Sequence, residues 1–576
     1  MLQTISPDEM KRIENYAIRE GLTTGEALMQ CAASHVAEAA LPYVSAHNAR
    51  LLCICGTGNN GGDGLAAVRI LLKRTQHVAA TIWLMSGTLS PDAEREWNRL
   101  VQQAPQVMVI CVSTTAENTP KKLPQNAKPN DAPLVTYKEP TELRIPKDTT
   151  CVIDALFGTG LSRPLRGTAA VLCGLMLKAG EQGVPIISVD IPSGLHGATG
   201  IVMGCAVRAA KTVTFHRPKE GLFLGMGPDY AGDVLVADIG LPTACDDAAG
   251  YLIAEKTDIA SFFPPRRKAT HKGRYGRVLI IAGSRGMAGA AAICALAALR
   301  TGAGLVSIAC PNAIVNIVQQ LCPCATCIPL PAGNAEAAWA CIKNALGNAD
   351  AIAVGCGMGT DADAKALLAH IFAWLHAHPA KPAVLDADAL NWLANHASAE
   401  ILNRPSAENT LKKRTEGTAS RHEFSHAAFT SMQIITPHPA EAARLLGIST
   451  ADVTADAPTA ARLLAKRYGA AVVLKGTTDV LICEDAQGLN ILGTPAMAKG
   501  GSGDALTGVL AALLACSAQN TSALSGLSLL QAGSALHGLA GIAAAEVFGE
   551  RGLLATDLCD YLGRVEMDFD KGSAHR

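Results

Sequence analysis

Aromatic side chains are scarce in this sequence, with 10 Phe, 8 Tyr and 5 Trp making up 4% of 576 residues. The core must therefore be built mainly from Ala, Val, Leu and Ile. Net charge is nearly absent as well: 49 Lys and Arg against 50 Asp and Glu leave −1. That balance gives no electrostatic footprint for nucleic acid or an anionic membrane. The one short basic run, Phe263-Pro-Pro-Arg-Arg-Lys268, reads as a solvated linker. Long hydrophobic runs are missing: the most apolar stretches, Ala290 to Leu299 and Ala505 to Cys516, are too short to span a bilayer. Met1 to Tyr16 mixes acidic and basic residues without the apolar core of a secretory signal. A cytoplasmic protein with no membrane and no nucleic-acid partner is expected.

What is present points to a globular chain, with 49% hydrophobic and 17% charged residues. The length predicts roughly two to four domains. The 18 cysteines are scattered through a long chain, unlike the dense frameworks of small secreted domains. Cys322, Cys324 and Cys327 form a Cys-x-Cys-x-x-Cys run with two readings, a metal site or ordinary thiols. No second pair at ligand spacing accompanies it. The 54 glycines imply tight turns and close backbone approaches to ligands.

Two halves can be distinguished. The first opens with an amphipathic helix, Pro7 to Glu20, capped by Gly21, and a second helix near Thr24 to Ala40. Strands are expected at Arg50 to Cys55, Val78 to Met85, Thr150 to Ala155 and Pro185 to Val189, with a helix at Leu65 to Lys73. A linker falls near 247–268. The second half then restarts, with strands at Arg277 to Ala282, Leu305 to Cys310, Ala351 to Val354, Ala383 to Leu385, Gln433 to Thr436 and Ala471 to Leu474, and a helix at Ala288 to Arg300. Alternating strands and helices predict mostly parallel sheets covered on both faces. Ser113 to Pro146 and Asn403 to Ser431 read as long loops.

The chemistry gathers at strand ends. Gly56-Thr-Gly-Asn-Asn-Gly-Gly-Asp-Gly64 lies between a strand and a helix, where glycines admit a ligand and free N–H groups favour an anion. Its two Asn and one Asp supply more donors and acceptors than a plain turn needs. Val152-Ile-Asp-Ala-Leu-Phe-Gly-Thr-Gly-Leu161 places Asp154 at the carboxyl end of a strand, the ligand-binding edge of an open α/β sheet. Asp154 can equally be read as a loop cap. Ile187-Ser-Val-Asp-Ile-Pro-Ser-Gly194 repeats the arrangement with Asp190 and Ser193. Asp, Asn and Ser oxygens together suit a hard cation.

In the second half, Ala496-Met-Ala-Lys-Gly-Gly-Ser-Gly-Asp-Ala-Leu-Thr-Gly508 opens an apolar helix. Its glycines and the helix dipole favour phosphate. Asp504 beside that anion hole makes sense as a base that activates a hydroxyl for phosphoryl transfer. The run lacks the Gly-Lys-Ser/Thr ending of a Walker motif.

The three motifs of the first half, in this order, resemble the NAD(P)H-hydrate epimerases over about Pro7 to Gly240. The resemblance implies a Rossmann-like three-layer domain, placed at 1–246. Its substrate would be held by Asn59, Asn60, Gly61, Gly62 and Asp63, by Gly158, Thr159, Gly160, Leu161, Ser162, Arg163 and Pro164, and by Asp190. It also implies a potassium ion on Asn60, Asp154 and Ser193. Asp154 is in addition expected to act as acid–base, a role typically worth ~10²–10⁴-fold. Lys219, in Thr214-Phe-His-Arg-Pro-Lys-Glu-Gly221, is either a phosphate or substrate contact or a surface lysine. Where relatives commonly carry Leu-Met-Glu and an Ala-Gly pair, this chain has Leu28-Met-Gln-Cys-Ala-Ala33, which bears on packing or dimer contacts.

Gly-x-Gly-Asp at a helix start resembles the ribokinase-like superfamily. His271-Lys-Gly-Arg-Tyr-Gly-Arg-Val-Leu-Ile-Ile-Ala-Gly-Ser284, Val354-Gly-Cys-Gly-Met-Gly359, Leu385-Asp-Ala-Asp-Ala-Leu390, Ile435-Thr-Pro-His-Pro-Ala-Glu441 and Val473-Leu-Lys-Gly-Thr477 narrow this to the ADP- or ATP-dependent NAD(P)H-hydrate dehydratases. The second half is thus expected to be a ribokinase-like α/β domain over 269–576. By resemblance, Lys475, Gly476, Thr477, Thr478, Asp479 and Gly503 hold the nucleotide, with magnesium on its phosphates. Ala290, Gly357 and His438 hold the hydrated dinucleotide, and Asp504 meets its hydroxyl. His438 beside two prolines also reads as a helix cap, and Asp386 and Asp388 as either metal-related or structural. Ala440, Gly493-Thr-Pro495 and Lys499 depart from the family pattern; Lys499 is expected to add a phosphate contact.

The implied function is repair of hydrated NADH and NADPH (NADHX and NADPHX). The first domain interconverts R and S epimers. The second dehydrates the S epimer with ADP (or ATP) through a phosphorylated intermediate, giving NAD(P)H, AMP and phosphate. A homo-oligomer is expected. The alternative is a ribokinase-like small-molecule kinase with a non-catalytic N-terminal binding domain.

Overall fold

The computed structural model describes residues 1–75, 77–112, 135–242, 250–401, 429–519 and 524–573. The chain divides into two compact units, Leu2–Tyr251 and Leu252–Arg576 together with Met1.

The first unit follows a two-residue strand, β1 (Leu2–Gln3), with two helices. Ser6 caps the first, Pro7–Arg19, accepting from the Glu9 N–H at 3.2 Å. Thr24 caps the second, Gly25–Val44, accepting from the Ala27 N–H at 3.1 Å. The sheet strands are β2 (Arg50–Cys55), β3 (Ala79–Met85), β4 (Met108–Val112), β5 (Val135–Lys138), β6 (Cys151–Ala155), β7 (Ile186–Val189), β8 (Lys211–Phe215) and β9 (Asp233–Ala237). They are ordered β5-β4-β3-β2-β6-β7-β8-β9 and every pair is parallel. Strand order reverses between β2 and β6, so the glycine-rich motif and Asp154 flank the switch point where open α/β sheets bind ligands. One apolar core lies under helices Gly25–Val44 and Asn59–Arg74, another under Gly167–Glu181. These are the three layers expected of the domain.

Sequence patterning misplaces one boundary that matters. A helix was expected from Leu65, yet it begins at Asn59, so the glycine-rich motif forms its first turns. The glycines serve packing. A Cβ on Gly61 would lie 2.0 Å from the Gly56 carbonyl oxygen, and one on Gly64 would lie 2.5 Å from Ala155 Cβ. Only glycine lets this helix settle onto the strand ends. Within the segment read as a long loop, β5 is a strand; 113–134 lie outside the described residues.

The second unit carries β10 (Leu252–Ile253), β11 (Arg277–Ile281), β12 (Leu305–Pro311), β13 (Thr326–Leu330), β14 (Ala351–Val354), β15 (Ala383–Leu385), β16 (Gln433–Ile435), β17 (Ala471–Leu474), β18 (Asp479–Cys483) and β19 (Ala486–Asn490). Within this unit they run β10-β19-β18-β17-β16-β15-β14-β11-β12-β13. Pairing is parallel except around β18, which is antiparallel to both neighbours. Two short elements lie within the expected linker: β10 pairs with β19, and Lys256–Phe262 is a helix opened by a Glu255–Asp258 capping box. Elements of two and seven residues are too short to show a hydrophobic period. Residues 402–428, most of the other expected loop, are outside the described set.

Small residues set the packing here. Helices Ala288–Arg300 and Ser502–Ala518 meet closely enough that a Cβ on Gly508 would lie 2.1 Å from the Cys294 carbonyl oxygen. Helix Gly526–Gly552 is apolar and long enough to cross a membrane by length and composition, a span the sequence reading passed over. Its most apolar window is 78% buried inside the unit, as in a core helix. Gly61→Ala should destabilise the first unit by ~1–3 kcal/mol, since overpacking against immovable backbone outweighs the helix-propensity gain of about 1 kcal/mol. Urea unfolding of that unit is the check.

Candidate active sites

In the first unit, β6 and β7 carry acids out of their carboxyl ends. Asp154 pairs in register with Ser188 and is fully buried. Its Oδ1 accepts from Ser193 Oγ (2.5 Å) and the Leu156 N–H (3.4 Å), and its Oδ2 from Ser188 Oγ (2.8 Å) and the Ser193 N–H (2.9 Å). Burial pushes its carboxyl up, and the bonds from Ser193 and Ser188 pull it back. Both oxygens are enclosed, so the expected acid–base role does not fit: no substrate hydroxyl can reach a carboxylate with zero exposure. Ser193 Oγ also accepts from the Phe157 N–H at 2.8 Å, tying the Gly158–Pro164 loop to the same centre.

Asn60 comes next to this loop: a Cβ on Gly158 would lie 2.9 Å from Asn60 Oδ1, and Asn60 Nδ2 is buried with no partner. Asn60 and Ser193 thus both border the Phe157–Gly158 turn, and Ser193 also holds Asp154. Asn59 accepts from Ser90 Oγ at 2.6 Å on the exposed side. Gly61 and Gly62, expected to touch substrate, are instead buried against Gly56 and against Met29 and Ala93. Gly160, Ser162, Arg163 and Pro164 are exposed on the loop, with Thr159 and Leu161 half-buried. Asp63 is half-buried, and burial, reinforced by Asp190 and Glu14, holds its carboxyl well above the usual range.

Asp190 sits at φ 64°, a left-handed conformation unusual for a side-chain-bearing residue. Lys219 Nζ lies 2.6 Å from its Oδ1, with Lys219 wholly buried. Both sequence readings of Lys219, surface residue and phosphate contact, are thereby corrected. Gln30, where relatives commonly carry Glu, sits in an internal network: Arg69 donates to its Oε1 and its Nε2 donates to Glu96 Oε1 at 2.7 Å.

In the second unit, β15 and β17 bring two charges together. Lys475 Nζ donates to Asp386 Oδ1 at 2.9 Å, and Thr507 Oγ1 donates to Asp386 Oδ2 at 3.0 Å. Burial opposes the Lys475 charge, but Asp386 and Glu441 outweigh it and hold its amine above the ordinary value. A Cβ on Gly503 would lie 3.2 Å from Lys475 Nζ and 3.4 Å from Asp386 Oδ2, so the glycine loop rests directly on this pair. Gly501, at φ 98°, turns the chain into helix Ser502–Ala518 with no side-chain cap on its N–H groups. Burial pushes Asp504 up to about 6, with a hydrogen bond to the Cys356 thiol pulling it down and Asp386 pushing it up. Cys356 precedes Gly357, whose Cβ would lie 2.9 Å from Ala290 Cβ. Asp504, Gly357, Ala290, Gly503 and Lys475 thus form one site.

His438 does cap helix Pro439–Leu446: its Nδ1 accepts from the Ala440 N–H at 3.1 Å. That bond leaves the proton on Nε2, which faces Glu441 Oε1 at 3.6 Å on an exposed ring. Asp388 accepts from the Gly359 N–H at 2.7 Å and so braces the Gly355–Gly359 loop. Asp479 shapes its own turn, accepting from the Gly476 N–H (3.2 Å) and Asn490 Nδ2 (3.0 Å), while Thr477 lies exposed at the tip. Lys499, expected on phosphate, instead donates to the carbonyl oxygens of Arg551 and Leu553, each at 2.6 Å. It staples the glycine loop to the end of helix Gly526–Gly552. His537, pushed down to about 4 by burial, meets the Ser502 carbonyl oxygen at 2.9 Å from the other side. Cys322 is buried and Cys324 exposed, while the free thiols of Cys327 and Cys310 share a hydrogen bond. Among the described residues no cluster of three or more His, Cys, Asp or Glu could hold a metal ion.

The chain matches two family models: "NAD(P)H-hydrate dehydratase" over residues 278–564 and "YjeF-related protein N-terminus" over residues 25–221. It is 32% identical over 558 residues to a bifunctional NAD(P)H-hydrate repair enzyme of Coxiella burnetii, covering 96% of this chain and 97% of that one. The corresponding Escherichia coli enzyme is 32% identical over 573 residues, covering 97% and 93%. Among solved structures, an ADP/ATP-dependent NAD(P)H-hydrate dehydratase from Bacillus subtilis, co-crystallized with ATP and Mg2+, is 26% identical and covers 56% of this chain and 100% of that one, with a TM-score of 0.43.

Removing one partner of the buried pair should be costly. Lys475→Met should destabilise the second unit by ~3–5 kcal/mol by stranding Asp386, and Lys475→Met with Asp386→Asn should recover most of that loss. Chemical denaturation of both variants reads it directly.

Proposed function

The chain belongs to the bifunctional NAD(P)H-hydrate repair enzymes, and we propose that unit Leu2–Tyr251 interconverts the epimers of the hydrated dinucleotide while unit Leu252–Arg576 dehydrates one of them. The observation that carries this reading is the convergence of Asp504, Lys475, Asp386 and Gly503 at the start of helix Ser502–Ala518.

In the second unit, the nucleotide phosphates lie over the uncapped N–H groups of Ser502–Ala518 and Lys475. Asp504 takes the proton of the ring hydroxyl as that oxygen attacks the terminal phosphorus. The bond to the nucleotide breaks, releasing AMP from ADP. The ring nitrogen lone pair then expels phosphate, the neighbouring ring carbon loses a proton, and the dihydropyridine is restored. Phosphate leaves far more readily than hydroxide, which accounts for the nucleotide consumed. Ala290, Gly357 and the His438 Nε2–H hold the dinucleotide. Magnesium belongs to the incoming nucleotide, where it neutralises phosphate charge.

In the first unit, the hydroxyl leaves as water with a proton from the enzyme, the ring nitrogen lone pair forms an iminium, and water returns to the opposite face. Asp63, whose burial favours the protonated form, is suited to deliver that proton, and Asp190 to receive one. The oxygens of Asn60, Asp154 and Ser193 (amide carbonyl, carboxylate and hydroxyl) are the hard donors that would hold a potassium ion. Such an ion would offset the Asp154 charge and fix the Gly158 loop.

The test is recovery of NADPH near-ultraviolet absorbance from both epimers with ADP or ATP and magnesium. Wild type should recover both epimers, Asp504→Asn neither. Dehydration should be flat near pH 7 and fall ~tenfold per unit below about pH 6, because Asp504 must be ionised to act as base and its carboxyl sits at about 6. A stable phosphorylated product in place of NADPH would instead identify a small-molecule kinase.

A further inference from the structure

Lys219 is the largest charged side chain sealed inside the first unit, at 0% exposure. Its amine has three N–H bonds, and each has an acceptor: Asp190 Oδ1 at 2.6 Å, the Phe215 carbonyl oxygen at 2.9 Å and Thr214 Oγ1 at 3.3 Å. No donor is left for a substrate or a phosphate. The segment before the first helix closes over it: the Ile5 N–H donates to the Pro218 carbonyl at 2.9 Å, and the Glu220 N–H to the Ile5 carbonyl at 3.3 Å.

Asp190 is fixed on one side only. Its Oδ1 receives Lys219 and, at 3.2 Å, the Thr214 hydroxyl, while its backbone N–H donates to the Val213 carbonyl at 2.7 Å. Among the described residues Oδ2 has no such partner. A side-chain-bearing residue at φ 64° persists only where its surroundings over-determine it, and here the buried lysine supplies that constraint. Two further acids face the group: Glu14 from helix Pro7–Arg19 and Asp63 from helix Asn59–Arg74. Lys219 sets its cation against Asp190 at 2.6 Å, with Glu14 also within its field.

Resting on the epimerase reading above, we infer that Lys219 is a positioning residue of the epimerase site: it clamps Asp190 Oδ1 from within the protein so that Oδ2 alone is presented to the hydrated ring. Lys219 never touches substrate and acts only through Asp190.

A double-mutant cycle tests this with the full chain, a mixture of both NADHX epimers as substrate and conversion of the R epimer as the readout. Dehydration of the pure S epimer by each variant serves as the control on the other unit. Lys219→Met and Asp190→Asn should each lower epimerisation kcat by about 10²-fold, with KM for the hydrate changed less than about threefold. Lys219→Met with Asp190→Asn should be no slower than Asp190→Asn alone, within about threefold. That comparison holds even if the single Lys219→Met chain fails to fold, because the double variant strands no buried charge. Multiplying losses in the double variant, or wild-type rates in a folded Lys219→Met, would overturn the inference. Wild type that leaves the R epimer untouched would instead sink the epimerase reading itself.

Discussion

Each unit is organised around a constraint that water removal imposes: a carboxylate carried off the end of a parallel strand must be matched by donors from inside the protein. Asp154 is matched by two serine hydroxyls and two backbone N–H groups. Asp190 is matched by Lys219, and Asp386 by Lys475 and Thr507. Donors arrive from other elements each time, Ser188 and Ser193 for Asp154, Lys219 for Asp190, and Lys475 and Thr507 for Asp386, so satisfying the charge also ties those elements to the site. Burial pushes Asp63 and Asp504, as it does Asp154, toward the protonated form. Of these three, chemistry is assigned to Asp63 and Asp504, since both oxygens of Asp154 are enclosed.

The scarcity of aromatics belongs to the same design. Helices built from Ala and Gly approach one another and the sheets closely, as Gly508 does against Cys294 and Gly64 against Ala155. Backbone N–H groups at helix starts are thereby brought against the sheet edge, where a dinucleotide or nucleotide phosphate can reach them. Lys499 and His537 hold the second such loop from two sides, through carbonyl oxygens rather than through ligand.

The motifs, their order and the strands that carry them are legible in the chain alone because strand-end acids and glycine runs have a spacing that packing dictates. What sequence conceals is direction. Nothing in Asp154 itself shows that both its oxygens turn inward, and nothing in Lys219 or Lys499 shows that their amines point at carbonyls and a carboxylate instead of a ligand. Glu14 lies on a helix whose amphipathic pattern marks its apolar face and passes over a half-buried acid. The strands β13 and β19 escape notice for another reason: mixed exposure on edge or hairpin strands blurs the hydrophobic period. The start of the helix at Asn59 is masked by glycines that would weaken a helix elsewhere.

The central claim is that the ring hydroxyl leaves as phosphate, activated by Asp504 beside the glycine loop. The most direct test uses the S epimer carrying oxygen-18 in that hydroxyl, ADP and magnesium, with the released phosphate analysed by mass spectrometry. The account predicts one labelled oxygen in each phosphate formed. Label appearing in water, with unlabelled phosphate, would contradict it and show that the nucleotide is hydrolysed without ever bonding to the substrate.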